Sequence, residues 1–260
     1  MEVANIVAGF LVGVVVGLTG VGGGALMTPV LVLLFGYSPQ TAIGTDLFFA
    51  AFTKTAGWMV HSYRGTIDWQ VLRRMSCGSI PGAVVTVLYL CSHDSTINRS
   101  GILIVLIGMA IVLTAVGLFL KPFIHRTGLI HYPGTTKSFE KYQIVLTVAG
   151  GTIIGVLVSL TSIGAGALGA TILIYLYPIR MKAANLVGTD IAHAIPLALV
   201  AGAGHLFIGN VNFGLLCNLL LGSVPGIVIG SLVSTKAPEN LIRNALGAML
   251  LVVGLKMVFA

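Results

Sequence analysis

Apolar stretches long enough to cross a bilayer follow one another along this chain almost without pause, among them Ala42–Val60, Gly101–Leu120 and Leu241–Val258. Segments near or above roughly 18 apolar residues are membrane-helix candidates. Their recurrence from end to end leaves no room for a separate soluble domain. Charge content agrees: 8% of the residues are charged and 57% hydrophobic, where a soluble domain carries about a quarter charged. The chain starts with Glu2 and no early Lys or Arg, so it lacks the basic region of a cleavable secretory signal. The first apolar segment is expected to stay in the mature protein.

The net charge of +7 does not imply a nucleic-acid partner. The basic residues stand singly between apolar runs, with no continuous patch, and the preference of Lys and Arg for cytoplasmic loops accounts for them. Cys77, Cys91 and Cys217 are odd in number and lack CxxC spacing, poor grounds for a disulfide framework or a metal site. They read as small packing residues in helices.

The second half copies the first at an offset of about 144 residues. Thr19-Gly20-Val21-Gly22-Gly23-Gly24-Ala25-Leu26 returns as Thr161-Ser162-Ile163-Gly164-Ala165-Gly166-Ala167-Leu168, and Gly44-Thr45-Asp46 as Gly188-Thr189-Asp190. His61 matches His205, Gly65–Trp69 matches Gly209–Phe213, and Gly78-Ser79-Ile80-Pro81-Gly82 matches Gly222-Ser223-Val224-Pro225-Gly226. The polar stretch Lys121–Tyr142 separates the halves and reads as a loop.

Each half offers three clear spans, at about 41–61, 70–90 and 97–120, then 183–205, 211–232 and 239–258. A longer apolar stretch, 3–35 or 143–177, precedes them and is interrupted by glycines. If that stretch enters and leaves on one side, each half crosses an odd number of times and the halves are inverted. With the interhalf loop inside, Arg64, Arg73, Arg74, Lys121, Arg126, Lys137, Lys141, Arg180, Lys182, Lys236 and Arg243 all fall inside, and only Arg99 and Lys256 outside. The expected fold is therefore an all-α membrane protein of two inverted-topology repeats, each a glycine-broken helix pair plus three transmembrane helices. Residues 1–120 form the first repeat, 121–142 a cytoplasmic loop, and 143–260 the second repeat, with both termini outside the cell membrane. Many secondary transporters use such repeats for alternating access, holding the solute near the midplane.

Candidate solute contacts come first from the two breaks, Thr19, Gly20, Gly22, Gly23 and Gly24 in one half, Thr161, Ser162, Gly164 and Gly166 in the other. A helix restarting inside the membrane presents unpaired N–H groups and a partial positive charge, which suits an anion. Close helix packing is the competing reading. Thr45 and Thr189 are counted with the solute contacts. Their neighbours Asp46 and Asp190 are carboxylates in membrane helices, a functional signal by default; they either couple to an ion or brace the adjacent turns by accepting N–H bonds. Each heads a mostly small-residue stripe, Asp46-Ala50-Thr53-Gly57 and Asp190-Ala194-Leu197-Ala201. Lys54 lies inside a span where the second half has Ala198, and could pair with Asp46 two turns away, bind an anion, or snorkel. His61, His193 and His205 are candidates for proton transfer or boundary residues satisfied locally. Pro81, Pro196 and Pro225 read as kinks that shape a cavity. No metal or cofactor motif such as HExxH is present, nor a nucleophile elbow.

At these residues the chain resembles the TauE/SafE sulfite exporter family, also called the four-toluene sulfonate uptake permease family. The resemblance covers nearly the whole chain and rests on Gly17-Leu18-Thr19-Gly20-Val21-Gly22-Gly23-Gly24, Ala42-Ile43-Gly44-Thr45-Asp46, the Pro81-Gly82 and Pro225-Gly226 pairs and the two-half layout. It implies a bacterial-type permease without enzymatic activity for sulfur-containing anions such as sulfite, sulfonates or sulfoacetate. The second half departs at Ser162 and Ala165, where the first has glycines. The expected partners are a small anionic solute, a coupling proton or sodium ion, and the lipid bilayer. The alternative is a proton- or sodium-coupled carrier of another solute or a cation, using the two aspartates; a channel and an intramembrane enzyme are further readings.

Overall fold

The apolar stretches fold as helices. The structure, a computed structural model, describes residues 2–19, 24–98, 102–130, 137–234 and 239–259. Among the described residues there are ten α-helices and no strands: α1 (Glu2–Thr19), α2 (Gly24–Leu33), α3 (Pro39–Tyr63), α4 (Trp69–Asn98), α5 (Ile102–Ile130), α6 (Lys137–Thr161), α7 (Ala167–Leu176), α8 (Ala183–Ile208), α9 (Phe213–Ser234) and α10 (Glu239–Phe259). Five segments are long and apolar enough to cross a membrane, Trp69–Ser92, Leu103–Ile124, Tyr142–Thr161, Ala184–Ile208 and Phe213–Gly230. The outer faces of α4 and α9 expose Val84, Val85, Leu88, Leu221, Val224 and Val228, a surface that suits lipid and would aggregate in water. The 25-residue α3 is absent from that set, because Asp46, Lys54 and its threonines dilute the apolar run; its polar face is turned into the protein instead.

One expectation needs correcting. Lys121–Tyr142 is not a loop throughout: α5 runs on to Ile130, with Pro122 inside it, and α6 begins at Lys137. Polar residues beyond an apolar span extend a helix as readily as they end one.

The second break is described in full. α6 stops at Thr161, whose Oγ1 donates to Leu157 O at 2.6 Å and accepts from Ile163 N at 3.1 Å. Ser162 then takes φ +61° and Gly164 φ +114°, left-handed values at which a helix cannot continue. α7 restarts at Ala167 with no side chain capping it.

Glycine contacts show how the helices run. On α1 and α9, Gly13 lies against Ser223, Gly226 against Phe10 and Gly230 against Val14, so the two helices are parallel. Gly78 of α4 lies against Val148 of α6, and a Cβ at Gly82 would stand 2.8 Å from Thr152 O, again parallel. Only residues without side chains let backbones approach this closely. The matched helices pack on each other the opposite way. Gly57 of α3 meets Ile191 of α8 and Gly202 of α8 meets Phe48 of α3, while Gly108 of α5 meets Gly254 of α10 and Gly247 of α10 meets Phe119. α3 and α8 are therefore antiparallel, as are α5 and α10.

Candidate functional site

The Gly-Thr-Asp segments of the two halves perform reciprocal jobs at opposite ends of the α3–α8 crossing. Thr189 Oγ1 accepts the Asp68 backbone N–H at 2.9 Å, and Thr45 Oγ1 accepts that of Asn212 at 3.1 Å. Asp68 and Asn212 in turn cap α4 and α9, through Val71 N at 3.2 Å and Leu215 N at 2.9 Å. Each threonine thus holds the start of a helix in the other half, and both are fully buried. The glycine before each packs on the same loop, Gly188 against Thr66 and His61, Gly44 against Asn210 and His205.

The aspartates that follow differ from each other. Asp46 Oδ2 accepts the Thr28 hydroxyl of α2 at 2.6 Å, and Ser162 of the second break faces the same carboxyl without closing a bond of ordinary geometry. Asp190 lies against the first turn of α7, where a Cβ on Gly169 would stand 2.6 Å from its Oδ1. That Oδ1 is buried and has no hydrogen-bond partner among the described residues, and Asp46 Oδ1 is in the same condition. The stripes below both carboxylates face inward, Ala50, Ala194, Leu197 and Ala201 being buried.

Lys54 does not snorkel. It is 7% exposed, makes no ion pair among the described residues, and lies within electrostatic reach of Asp190 first and Asp46 second. The carboxylate that acts on it more strongly belongs to the other half, because α8 runs antiparallel to α3 and brings its N-terminal part alongside the C-terminal part of α3, Ile191 against Gly57. His193, one turn beyond Asp190, shares a 2.8 Å hydrogen bond with Ser79 of α4 through Nε2, and its Nδ1 is buried without a partner. Sequence reasoning passed over Ser79, although it sits inside the repeated segment that ends in Pro81-Gly82. It likewise missed Thr28 and Gly169, which lie in the α2 and α7 segments after each break and carry no motif of their own.

Other expected site residues stand elsewhere or serve the scaffold. His205 Nε2 bonds Ser159 O at 2.8 Å, bracing the last turns of α6. His61 Nδ1 pairs with Thr66 Oγ1 at 2.8 Å at the end of α3. Thr161 has committed its proton to Leu157 O. Gly164 and Gly166 shape the second break, and Gly24 opens α2. Gly20, Gly22 and Gly23 lie outside the described residues, and nothing is described of the Thr19 side chain. Cys77, Cys91 and Cys217 are exposed on helix surfaces rather than packed inside.

At one end of the molecule the α3–α4 and α7–α8 loops meet. Arg180 grips Asp68 with Nε and, at 2.8 Å, with Nη2, and reaches Gln70 at 2.9 Å, while Arg74 donates to Tyr177 Oη at 3.3 Å. The α2–α3 and α8–α9 loops at the other end, 34–38 and 209–212, hold no Lys or Arg. An apolar cavity of about 510 Å³ between α1, α2 and α10, lined by Val7, Leu11, Leu26, Val30, Phe35 and Met249 among others, shares no residue with the buried polar cluster. No group of three or more His, Cys, Asp or Glu among the described residues could hold a metal ion.

A multi-pass helical protein with a buried polar cluster at the crossing of its two halves has the build of a membrane transporter. The comparisons with known proteins agree. The model of the family described as Sulfite exporter TauE/SafE matches residues 5–257. The probable membrane transporter protein YjnA of Bacillus subtilis (strain 168) is 37% identical over 262 residues, covering 99% of this chain and 100% of that one. YdhB of the same organism is 25% identical over 96% of this chain and 97% of its own, and MJ0441 of Methanocaldococcus jannaschii is 26% identical over 94% and 92%; both are also named probable membrane transporter proteins. No solved structure matches the chain. The chain belongs to the TauE/SafE sulfite exporter family and is a membrane transporter, whose partners are a small solute and the lipid bilayer.

Proposed function

We propose that the protein carries small sulfur-containing oxyanions, sulfite or organosulfonates, across the cell membrane by alternating access between two inverted repeats. One observation carries this reading: the start of α7, which no side chain caps among the described residues, lies beside Asp190, and the buried Lys54 ammonium of the other half lies within electrostatic reach of that same carboxylate. An anion leaving water needs such compensation, and a helix N-terminus and an ammonium supply it from opposite halves. The antiparallel α3–α8 and α5–α10 pairs support the inverted arrangement. The loading of Arg64, Arg74, Arg180 and Lys182 at one end supports a cytoplasmic location for that end, with both termini opposite. Purified protein in vesicles should bind and move sulfite, thiosulfate or an alkylsulfonate in preference to sulfate, and Lys54→Ala should lower the rate at least ten-fold. Transport unchanged in that variant would remove Lys54 from the site.

A second reading, a proton- or sodium-coupled carrier of another solute or a cation, is favoured by the unpartnered Oδ1 atoms of Asp46 and Asp190. Flux that follows a cation gradient without anion binding would select it.

A further inference from the structure

The halves match at Gly-Thr-Asp but break symmetry at Lys54, where the second half has Ala198, and at His193, where the first half has Phe49. Both departures fall beside one carboxylate. Gly57 of α3 packs on Ile191 of α8, and the buried Lys54, one turn earlier, acts electrostatically on Asp190 and His193, which stand three residues apart on α8. Building on the anion-carrier reading, we infer that Asp190 and the transported anion compete for the Lys54 ammonium, so that each anion enters together with one proton bound on Asp190.

The charge count of the cluster leads to this. Lys54, Asp46 and Asp190 are buried together, and with all three ionised they sum to one negative charge. A second anion cannot join them without compensation, since charges taken out of water must be paired or neutralised. Asp46 already has a donor in the Thr28 hydroxyl, with Ser162 beside it. Asp190 Oδ1 has no donor among the described residues: α7 presents it with the bare Gly169, and Met75 of α4 stands against the same glycine. The charges that act on Asp190 are Lys54 from α3 and Lys121 from α5, with Asp46 acting in turn on Lys54, and His193 follows three residues on along its own helix. α4 adds the neutral Ser79 bonded to His193, and α6 meets α8 through the Ser159 carbonyl at His205. Once a proton from water sits on Asp190, the ammonium is released to the solute. When the solute leaves on the far side, the proton returns to water there and Lys54 turns back to the carboxylate. His193 Nδ1, buried and unpartnered, stands where a relay for that proton would be.

The experiment is proton counting on solute binding by the whole protein in detergent, using a pH indicator in weak buffer and two probes, sulfite and methanesulfonate. Methanesulfonate keeps one charge throughout the working range. Wild-type protein should take up about one proton per methanesulfonate bound, with affinity tightening as pH falls, as linkage requires. In Asp190→Asn the uptake should vanish and affinity become independent of pH, whereas Asp46→Asn should keep the one-proton uptake. In vesicles, solute flux through Asp190→Asn should lose its acceleration by an inward proton gradient. Binding to wild-type protein without proton uptake overturns the switch and leaves the carrier reading intact, and this holds whether or not the variants fold. Proton uptake persisting in Asp190→Asn also overturns it. If wild-type protein binds neither probe, the carrier reading falls and the switch falls with it.

Discussion

Replacing Thr189 or Thr45 by Val keeps the side-chain shape and deletes one acceptor. In Thr189→Val the Asp68 N–H loses its 2.9 Å partner, and in Thr45→Val the Asn212 N–H loses its 3.1 Å partner. Asp68 and Asn212 still cap α4 and α9 in these variants, and a backbone donor left unsatisfied costs about 1–3 kcal/mol. Both threonines are fully buried, but the bonds are part-buried and their donors lie on loop residues open to solvent, so water replaces part of the lost acceptor and the lower part of that range applies, about 1 kcal/mol for each. The two sites lie at opposite ends of the α3–α8 pair and share no partner, so the double variant should lose about 2 kcal/mol by simple addition. Thermal unfolding of the detergent-purified protein, followed by the fraction remaining monodisperse, should rank wild type above the two singles and the singles above the double. Thr→Ser at either site should recover most of the loss, because Ser keeps the acceptor. If Thr189→Val melts within about 0.5 kcal/mol of wild type, the bond between the halves contributes little. A double variant no worse than either single would show that the two contacts are not independent.

The Asp68–Arg180 pair gives a sharper contrast. Asp68→Asn installs the residue that caps α9 in the second half, Asn212, so it removes the ion pair and keeps the cap; with Arg180 44% exposed the stability loss should stay below about 1 kcal/mol, whereas Asp68→Ala should lose about 1 kcal/mol more. Equal melting of the two variants would deny Asp68 its capping role. Gly169→Ala places a methyl 2.6 Å from Asp190 Oδ1, so it should cut transport at least ten-fold while the protein still purifies as a folded species. Full transport in that variant would show that Asp190 can move aside at no functional cost.

The sequence carried the broad design because membrane helices and repeats are written locally. Apolar length marked the spans, matched glycines marked the second break between Thr161 and Ala167, and the inward stripes below Asp46 and Asp190 followed from helical spacing. What it withheld is set by helix direction and by pairing across the halves. Lys54 looked like a partner for Asp46, eight residues away on the same helix, whereas the antiparallel approach of α8 gives Asp190 the stronger electrostatic hold on it. Thr45 and Thr189 looked like solute contacts, and no local rule announces that each receives a backbone N–H from a residue more than a hundred positions away. Lys121–Ile130 looked like loop because polarity was taken as a break, yet nothing between Lys121 and Ile130 forces the backbone out of helix.

The peripheral position of Cys77, Cys91 and Cys217 makes the chain a ready platform for probes. Replacing these thiols by alanine or serine should be silent, since none braces the buried crossing. Single reporter cysteines placed along α3 or α7 could then be read by water-soluble reagents from either side, timing when each face of the crossing becomes wet during a transport cycle.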